Sequence, residues 1–80
     1  MDINKALAAF FALSQQTRLD VFRLLVKAGA DGLNAGEIAA LLDVKQNTMS
    51  ANLTVLLNAG MVRNERHGRT IRYFADFDAM

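Results

Sequence analysis

The spacing of apolar residues changes at Gly60, and this change constrains the fold more than any other feature of the sequence. Before Gly60, apolar residues recur every three or four positions, as they do on one face of an α-helix. After it, two short segments flank a turn at His67 and Gly68, as in a β-hairpin. The sequence therefore predicts a single α+β domain over residues 1–80, mainly α, with about four helices followed by a small two-stranded hairpin.

The helical part divides into four segments at its start and stop signals. The predicted helices span 3–13, 16–28, 35–42 and 46–59. Ser14 is a favourable N-cap for the second helix, and Gly29 ends it because glycine tolerates the left-handed conformation that follows many helices. Asn34 and Glu37 have the spacing of a capping box at the start of the third helix, and Gly60 closes the fourth.

The apolar faces of these helices predict which side chains are buried. In the third and fourth helices the predicted inward residues are Ile38, Leu41, Leu42, Met49, Leu53, Leu56 and Leu57. The first helix has a stripe of large residues, Ile3, Leu7, Phe10 and Phe11, and a smooth side of Ala8, Ala9 and Ala12. The alanine side suits close packing against a partner or inside the protein. Because the chain is 52% hydrophobic, its apolar surplus favours an oligomer interface.

The hairpin is predicted over residues 61–75. With a two-residue loop at positions 67 and 68, Arg63 would face Arg72 on the opposite strand. The residues sharing the core side would then be Val62, Ile71 and Tyr73. Directly opposed like charges weaken a hairpin, so this register favours an external anion near the two arginines. A longer loop would change the register.

The chain contains no cysteine and a single histidine, which excludes several classes of site. Disulfides, zinc–thiolate sites and cysteine nucleophiles are ruled out, and the sequence shows no Ser/His/Asp set, no paired catalytic carboxylates and no glycine-rich phosphate loop. We therefore expect neither an enzyme nor a cofactor. His67 is interpreted as an exposed turn residue that touches phosphate, and Asp76 and Asp78 as a helix start, so no metal site is expected.

The N-terminal apolar run, residues 6–13, is interpreted as part of a folded helix. It is short for a signal peptide, and Asp2 lies where a signal would carry positive charge. No run approaches the roughly 20 apolar residues that span a bilayer. Without cysteine the chain forms no disulfides, which are rare in intracellular proteins, and these features together predict a cytoplasmic protein with no membrane partner.

A short third helix, a three-residue connection and a polar start to the fourth helix form the pattern of a helix-turn-helix. The side chains predicted to lie outward or at the flanks are Gln46, Asn47, Ser50 and Asn52. Asparagine and glutamine bond adenine in the major groove, hydroxyl groups bond base edges or phosphates, and a helix N-terminus favours a phosphate. Taken alone, the same residues fit a solvated polar face equally well.

Basic charge is concentrated in the hairpin, although the net charge is only +1. Residues 61–75 carry four arginines and a single acidic residue, Glu65. A β-ribbon with arginines near its tip can lie along the DNA backbone or enter the minor groove, whereas a charge run by itself is more often a solubilising surface. The two patterns together predict DNA binding. The predicted contact residues are Lys45, Gln46, Asn47, Thr48, Ser50, Ala51, Asn52, Arg63, Arg66, His67, Arg69 and Arg72.

Four segments resemble the ArsR/SmtB family of small bacterial repressors. Residues 12–19, ALSQQTRL, resemble the family's ALSDPTRL opening. Residues 46–50, QNTMS, and 56–62, LLNAGMV, resemble its recognition helix and the exit from that helix, and residues 66–69, RHGR, resemble its wing. The resemblance covers residues 10–75. It implies a winged helix-turn-helix repressor that is a homodimer, binds a palindromic operator in double-stranded DNA and releases it when an inducer binds.

The sequence departs from the family pattern in several places. Metal-sensing members have cysteines where this chain has Asn34 and Gly36, so that site is absent. A second metal site of the family needs more ligands than Asp76 and Asp78 supply. Ala51 stands where many relatives have a basic residue or histidine, which implies weaker or shape-driven base readout. The family's dimers use the first and last helices, and the expected C-terminal dimerisation helix is missing here. Either the sequence is part of a longer protein, which we favour, or the first helix forms the dimer alone.

The leading hypothesis is a sequence-specific transcriptional regulator, a repressor released by an inducer. The helix at 46–59 would lie in the major groove, and the wing at 61–75 on the backbone or in the minor groove. The alternative is a winged-helix protein-interaction module without DNA binding, which the near-neutral charge and Ala51 favour. RNA binding is a weaker third hypothesis, because the predicted hairpin displays few aromatic residues for base stacking.

Overall fold

The computed structural model describes residues 2–77. The elements are α1 (Ile3–Leu13), α2 (Gln16–Ala28), a 3₁₀ turn (Gly29–Asp31), β1 (Leu33–Asn34), α3 (Ala35–Leu42), α4 (Gln46–Asn58), β2 (Val62–His67) and β3 (Thr70–Ala75). The predicted α+β winged helix class and helix bounds are confirmed, except that α4 ends one residue earlier. The longest helices in this part of the chain have 13 residues, and none is long and apolar enough to cross a membrane.

The junction between α1 and α2 differs from the prediction. Ser14 ends α1, because its backbone is α-helical (φ −74°, ψ −15°) and its hydroxyl donates to the Phe11 carbonyl at 2.7 Å. Gln15 is the extended N-cap of α2, and its side-chain oxygen accepts the Arg18 N–H at 3.0 Å. The N-cap prediction for Ser14 is therefore wrong by one residue, since an N-cap needs an extended backbone. Arg18 also donates to the Ala12 carbonyl at 2.7 Å and ties the two helices together.

Both ends of α3 are fixed by local hydrogen bonds and backbone geometry. At its start, the Asn34 side chain accepts the Glu37 N–H at 2.8 Å and the Glu37 carboxylate accepts the Asn34 N–H at 3.0 Å. The predicted capping box is therefore confirmed. At its end, Asp43 adopts the left-handed conformation with φ 54°, which redirects the chain toward α4. The half-buried Val44 in this connection packs against the core.

The core lies between the four helices and the base of the hairpin. Its largest fully buried side chains are Val21, Leu25, Ile38, Met49, Leu53, Leu56 and Met61. Each large aliphatic side chain contributes about 1.5–3 kcal/mol by leaving water. Met49, Leu53 and Leu56 of α4 are buried in this core, so the inner face of α4 packs on the protein and its outer face is exposed to solvent.

The two sides of α1 and one leucine of α3 show which apolar residues the core does not use. The alanine side of α1 packs inside the protein, with Ala9 and Ala12 buried. The large stripe faces outward, with exposed fractions of 71% for Ile3, 58% for Leu7, 72% for Phe10 and 66% for Phe11.

The prediction that Leu41 of α3 points inward is wrong, since its side chain is 62% exposed. The face of α3 that packs on the core is formed by Ile38, Ala39 and Leu42. Leu41 lies roughly 110° around the helix from the middle of that face, so its side chain points to solvent.

β1, β3 and β2 form an antiparallel sheet in that order. The sequence does not predict β1, because two residues are too few to show a strand period and the pairing of Leu33 with Tyr73 is long-range. The loop of the hairpin consists of Gly68 and Arg69. Of these two, Gly68 alone has a positive φ, 66°, which is the pattern of a type II′ turn.

The register of the hairpin corrects the predicted one. The loop lies one residue later than predicted, so every cross-strand partner shifts by two residues. Arg63 faces Phe74 instead of Arg72, and Arg72 faces Glu65. Opposed arginines are therefore absent from the paired strands, and the anion expected near them has no basis. The predicted core side is confirmed in part, with Val62 buried, Tyr73 half-buried and Ile71 38% exposed.

Candidate nucleic-acid interface

The N-terminal half of α4 presents hydrogen-bonding side chains to solvent. Its exposed residues, with the preceding cap, are Lys45, Gln46, Asn47, Thr48, Ser50 and Ala51. Lys45 makes no side-chain cap, and the first backbone hydrogen bond of the helix runs from the Met49 N–H to the Lys45 carbonyl at 2.9 Å. The N–H groups of Gln46 and Asn47 thus have no acceptor within residues 2–77. Such uncapped donors and the helix dipole favour an anion at this end.

Asn52 does not belong to the exposed face of α4. It is 7% exposed, and its Nδ2 donates to the Thr48 carbonyl at 3.1 Å. Position 52 follows Met49 by three residues and precedes Leu56 by four, which places it on the buried side of the helix. The prediction that Asn52 lies outward or at the flank is therefore wrong. The spacing from Met49 is the signal in the sequence that assigns it to the inner face.

The tip of the hairpin carries cations without internal partners. Arg66 and Arg69 are exposed, and within the described chain neither side chain forms a hydrogen bond or an ion pair. His67 is also exposed, and its Nε2 lies 3.5 Å from Oε1 of Glu65. Because side chains alternate along a strand, Arg66 and His67 lie on opposite faces of the ribbon. The tip therefore offers positive charge to a polyanion lying along it.

Arg63 is engaged within the hairpin. Its guanidinium forms a hydrogen bond and ion pair with Glu65 and lies 4.5 Å from the centre of the Phe74 ring. The hydrogen bond from Arg63, with smaller contributions from its charge and from His67, holds the pKa of the Glu65 carboxyl below its usual value. About half of the Arg63 side chain stays exposed, but its charge is shared with Glu65. It is a weaker candidate contact than Arg66 or Arg69.

Arg72 is directed into the protein, which corrects its place among the predicted contact residues. Its Nε donates to the Asp31 carbonyl and its Nη2 to the Gly32 carbonyl, both at 2.8 Å. Its Nη1 lies 3.7 Å from Oε1 of Glu37, and the side chain is 28% exposed. The sequence shows that Arg72 is basic and near the turn, but only the true register shows which way it points.

The acidic residues after the hairpin give no cation site in the described chain. Residues 2–77 contain no group of three or more His, Asp or Glu side chains arranged to hold a metal ion. The Asp76 N–H donates to the Met61 carbonyl at 2.9 Å, which ties the end of β3 to the start of β2. The helix start predicted at Asp78 lies outside the described residues.

The fold and this surface together define a winged helix-turn-helix protein. The helix-turn-helix is α3, the left-handed turn and α4, and the wing is the β2–β3 hairpin. The profile of the helix-turn-helix domain family matches residues 13–65, more than half of the chain, and the chain belongs to that family. The resemblance to the ArsR/SmtB type is confirmed by solved structures. A comparison with curated protein sequences found no match.

Three solved structures show the extent of the similarity. An ArsR-like transcriptional regulator from Rhodococcus sp. RHA1 is 28% identical, with a TM-score of 0.84 over 96% of this chain and 70% of its own. The transcriptional repressor BigR from Xylella fastidiosa is 27% identical, with a TM-score of 0.81 over 96% and 76%. The homodimeric winged helix-turn-helix DNA-binding domain of Mb0332 from Mycobacterium bovis, a possible ArsR-family regulator, is 26% identical, with a TM-score of 0.84 over 91% and 65%.

Proposed function

We propose that this protein is a sequence-specific DNA-binding transcriptional regulator. The observation that carries the proposal is the presence, in one winged helix-turn-helix, of an exposed polar start of α4 and of a hairpin tip with two arginine side chains that have no internal partners. α4 packs directly against β2, so the helix and the wing belong to one continuous part of the molecule. The ArsR-type relatives named above, described as transcriptional regulators or repressors, support this function.

The start of α4 supplies the base-reading chemistry. The amide of Gln46 can donate and accept, which matches the edge of adenine in the major groove. The Oδ1 of Asn47 accepts the Thr48 N–H at 2.9 Å, so Asn47 chiefly offers its NH₂ group to a base. The hydroxyl of Ser50 bonds base edges or phosphate, and the methyl group of Ala51 suits the thymine methyl. Each well-formed bidentate contact is worth about 1–3 kcal/mol of discrimination against the wrong base. Lys45 and the uncapped N–H groups contribute phosphate contacts at the same end.

The wing supplies contacts that do not depend on sequence. Arg66 and Arg69 carry full charges at the tip, and His67 lies between them. Guanidinium groups in this position bind backbone phosphates or enter a narrow minor groove. Arg63 and Arg72 take little part, because their guanidinium groups already hold internal partners.

We further propose that the protein binds a palindromic operator as a homodimer and represses transcription until an inducer releases it. The exposed large stripe of α1 is the apolar surface available for the second protomer. Contiguous exposed apolar side chains of this kind mark interaction sites. The homodimeric Mb0332 domain has the same fold. A two-fold dimer places its two α4 helices in successive major grooves, about 34 Å apart, which requires a palindrome.

The test is selection of duplexes from a random library, followed by fluorescence anisotropy of the selected duplex against salt. Counterion release gives a log–log slope of about −0.9 for each phosphate neutralised. Lys45, Arg66 and Arg69 in two protomers therefore predict a slope of about −5. Arg23→Ala, which removes an exposed charge from α2, is the matched control and leaves affinity and slope unchanged. A flat salt response, or no enrichment of any sequence, contradicts the proposal.

A protein-interaction module without DNA binding is the second candidate. The observations that favour it are the net charge of only +1 and the 62% exposure of Leu41 on the helix-turn-helix itself. An apolar contact at Leu41 would survive high salt, since screening weakens charge pairs and leaves apolar contacts intact. Binding to a protein partner that persists at high salt, with no duplex bound at low salt, selects this candidate.

A further inference from the structure

Arg72 joins β3 to the segment that leads into the helix-turn-helix. Its two donated hydrogen bonds, each 2.8 Å, end on the successive carbonyls of Asp31 and Gly32, which lie 41 and 40 residues earlier in the chain. The planar guanidinium holds Nε and Nη2 in a fixed geometry that matches two neighbouring acceptors, whereas the three donors of a lysine all lie on one flexible ammonium nitrogen. The Arg72 side chain therefore connects the wing to the start of the helix-turn-helix, in addition to the backbone pairing of β1 with β3.

Glu37 extends this connection into α3. Its Oε1 accepts the Asn34 N–H at 3.0 Å within the capping box and lies 3.7 Å from Nη1 of Arg72. Asn34 also pairs directly with Arg72 in the sheet. The guanidinium thus contacts the carbonyls before β1 and the first turn of α3, and α3 packs on α4. Arg72 therefore links β3, through its contacts with the segment before β1 and with Glu37, to the helix-turn-helix.

Gly32 shows independently that this segment lies tightly against β3. Its φ is 61°, and a Cβ at this position would be 2.6 Å from the Tyr73 carbonyl oxygen and 2.6 Å from Cε1 of Phe74. Contacts below 3.0 Å require something to move, and one of the two is with backbone. The backbone of the segment and that of β3 are therefore in direct contact, beside the hydrogen bonds of Arg72.

We propose that Arg72 is a positioning residue of the DNA-binding surface, fixing the angle of the wing relative to the helix-turn-helix. This inference rests on the proposed function. Arg69 lies three residues from Arg72 along the hairpin, which is about 10 Å at strand rise. A rotation of roughly 20° at Arg72 would move the tip by about 3 Å, as far as a whole hydrogen bond is long. Loss of this connection therefore removes the tip arginines from the phosphates that they contact.

The experiment combines the salt slope with a double-mutant cycle. Arg69→Met removes one phosphate contact, so the slope falls in magnitude by about 0.9 per protomer. Arg72→Met removes the contacts of both Arg66 and Arg69, so we expect a fall of about 1.8 per protomer and an affinity loss of at least about tenfold. Because the tip is then already displaced, adding Arg69→Met to Arg72→Met changes nothing further.

A second measurement reads the wing angle without DNA. Residual dipolar couplings of amides in α4 and in the hairpin give the orientation of one relative to the other. We expect Arg72→Met to change this orientation and Arg69→Met to leave it unchanged. Arg72→Lys keeps the charge and most of the stem but lacks the rigid planar fork, so it shows the same changes to a smaller degree and serves if Arg72→Met does not fold.

The outcomes separate this inference from the function on which it rests. If the wild-type protein binds no duplex, the proposed function fails, and the role of Arg72 in it fails too. If the wild type binds but Arg72→Met lowers the slope by only about 0.9 and its effect adds to that of Arg69→Met, then Arg72 itself contacts a phosphate and the inference is overturned. Unchanged dipolar couplings in both Arg72 variants also overturn it.

Discussion

The guanidinium carbon of Arg63 lies 4.5 Å from the centre of the Phe74 ring, directly across the two strands of the hairpin. Phe74 is 5% exposed, so the cation covers a side chain that is otherwise part of the interior. The same guanidinium pairs with Glu65 on its own strand. The base of the wing is therefore held by an arginine that sequence position alone would assign to DNA.

Arg63→Ala should lower stability and leave DNA binding nearly intact. The expected cost is about 0.5–1 kcal/mol, because the cation–π contact is partly exposed. Urea unfolding measures the cost, and Arg66→Ala is the matched control, which should stay within about 0.5 kcal/mol of the wild type. An unchanged urea midpoint for Arg63→Ala, with a salt slope lowered as much as by Arg66→Ala, would show that Arg63 contacts phosphate instead.

Asn52 and Gln46 should have opposite effects on stability and on sequence preference. Asn52 is buried against the Thr48 carbonyl, so Asn52→Ala should cost about 1 kcal/mol of stability and leave the selected DNA sequence unchanged. Gln46 is exposed at the start of α4, so Gln46→Ala should preserve stability and change the preferred base at one position of each half-site. Selection of duplexes from a random library with each variant measures the change in sequence preference, and urea unfolding measures the change in stability. A preference altered by Asn52→Ala alone contradicts the assigned reading face.

Glu65 should become protonated at a lower pH than an ordinary glutamate, because its pKa is lowered. Its pKa is lowered chiefly by the hydrogen bond from Arg63, so the stabilisation is complete above the unfolded-state pKa, about 4.3, and is lost as the pH falls through the lower folded-state pKa. Carboxyl chemical shifts followed by NMR measure this titration. In Arg63→Ala the pKa of Glu65 should rise toward its usual value, whereas in Arg69→Ala it should not move. Equal titration in all three proteins would refute the pairing.

Gly32→Ala should be far more destabilising than Gly29→Ala. Both glycines have positive φ, 61° and 58°, so an alanine at either costs about 1–3 kcal/mol in backbone strain. Only at Gly32 would the new Cβ also meet the Tyr73 carbonyl, whereas nothing lies within 4 Å of a Cβ at Gly29. The clash should add about 1–3 kcal/mol. Thermal unfolding of both variants measures the difference, and equal midpoints would mean that the segment before β1 does not lie against β3.

Leu7→Glu should dissociate the proposed dimer, because it places a charge in the apolar stripe of α1. Leu7 is 58% exposed in one protomer, and Leu41→Glu is the matched control, since Leu41 is 62% exposed on α3. Sedimentation equilibrium should give a monomer for Leu7→Glu and a dimer for Leu41→Glu, with both still folded by circular dichroism. A dimer that survives Leu7→Glu would exclude this stripe as the interface.

The helices could be predicted from sequence because their signals are local. The capping box of Asn34 and Glu37 and the glycine after α2 each act within one turn, so their positions in the chain nearly determine the element bounds. Ser14 shows the limit of this reasoning, since neighbouring polar residues compete for a cap and only the backbone geometry decides between Ser14 and Gln15.

The hairpin was harder to predict because its register depends on one residue of loop position. Moving the loop from 67 and 68 to 68 and 69 exchanges the partner of Arg63 from Arg72 to Phe74. The two-residue strand β1 and the bonds of Arg72 to the segment before it are long-range and leave no local pattern. The sequence therefore predicts the positively charged wing but does not distinguish the arginines with internal partners, Arg63 and Arg72, from those without, Arg66 and Arg69.

The most direct test is an NMR titration of the ¹⁵N-labelled protein with its selected duplex. We expect amide shifts to change at residues 45–51 of α4 and at 66–70 of the wing tip, whereas the exposed side of α3 around Leu41 stays unperturbed. Shift changes centred on α3, with residues 45–51 unaffected, would contradict this expectation.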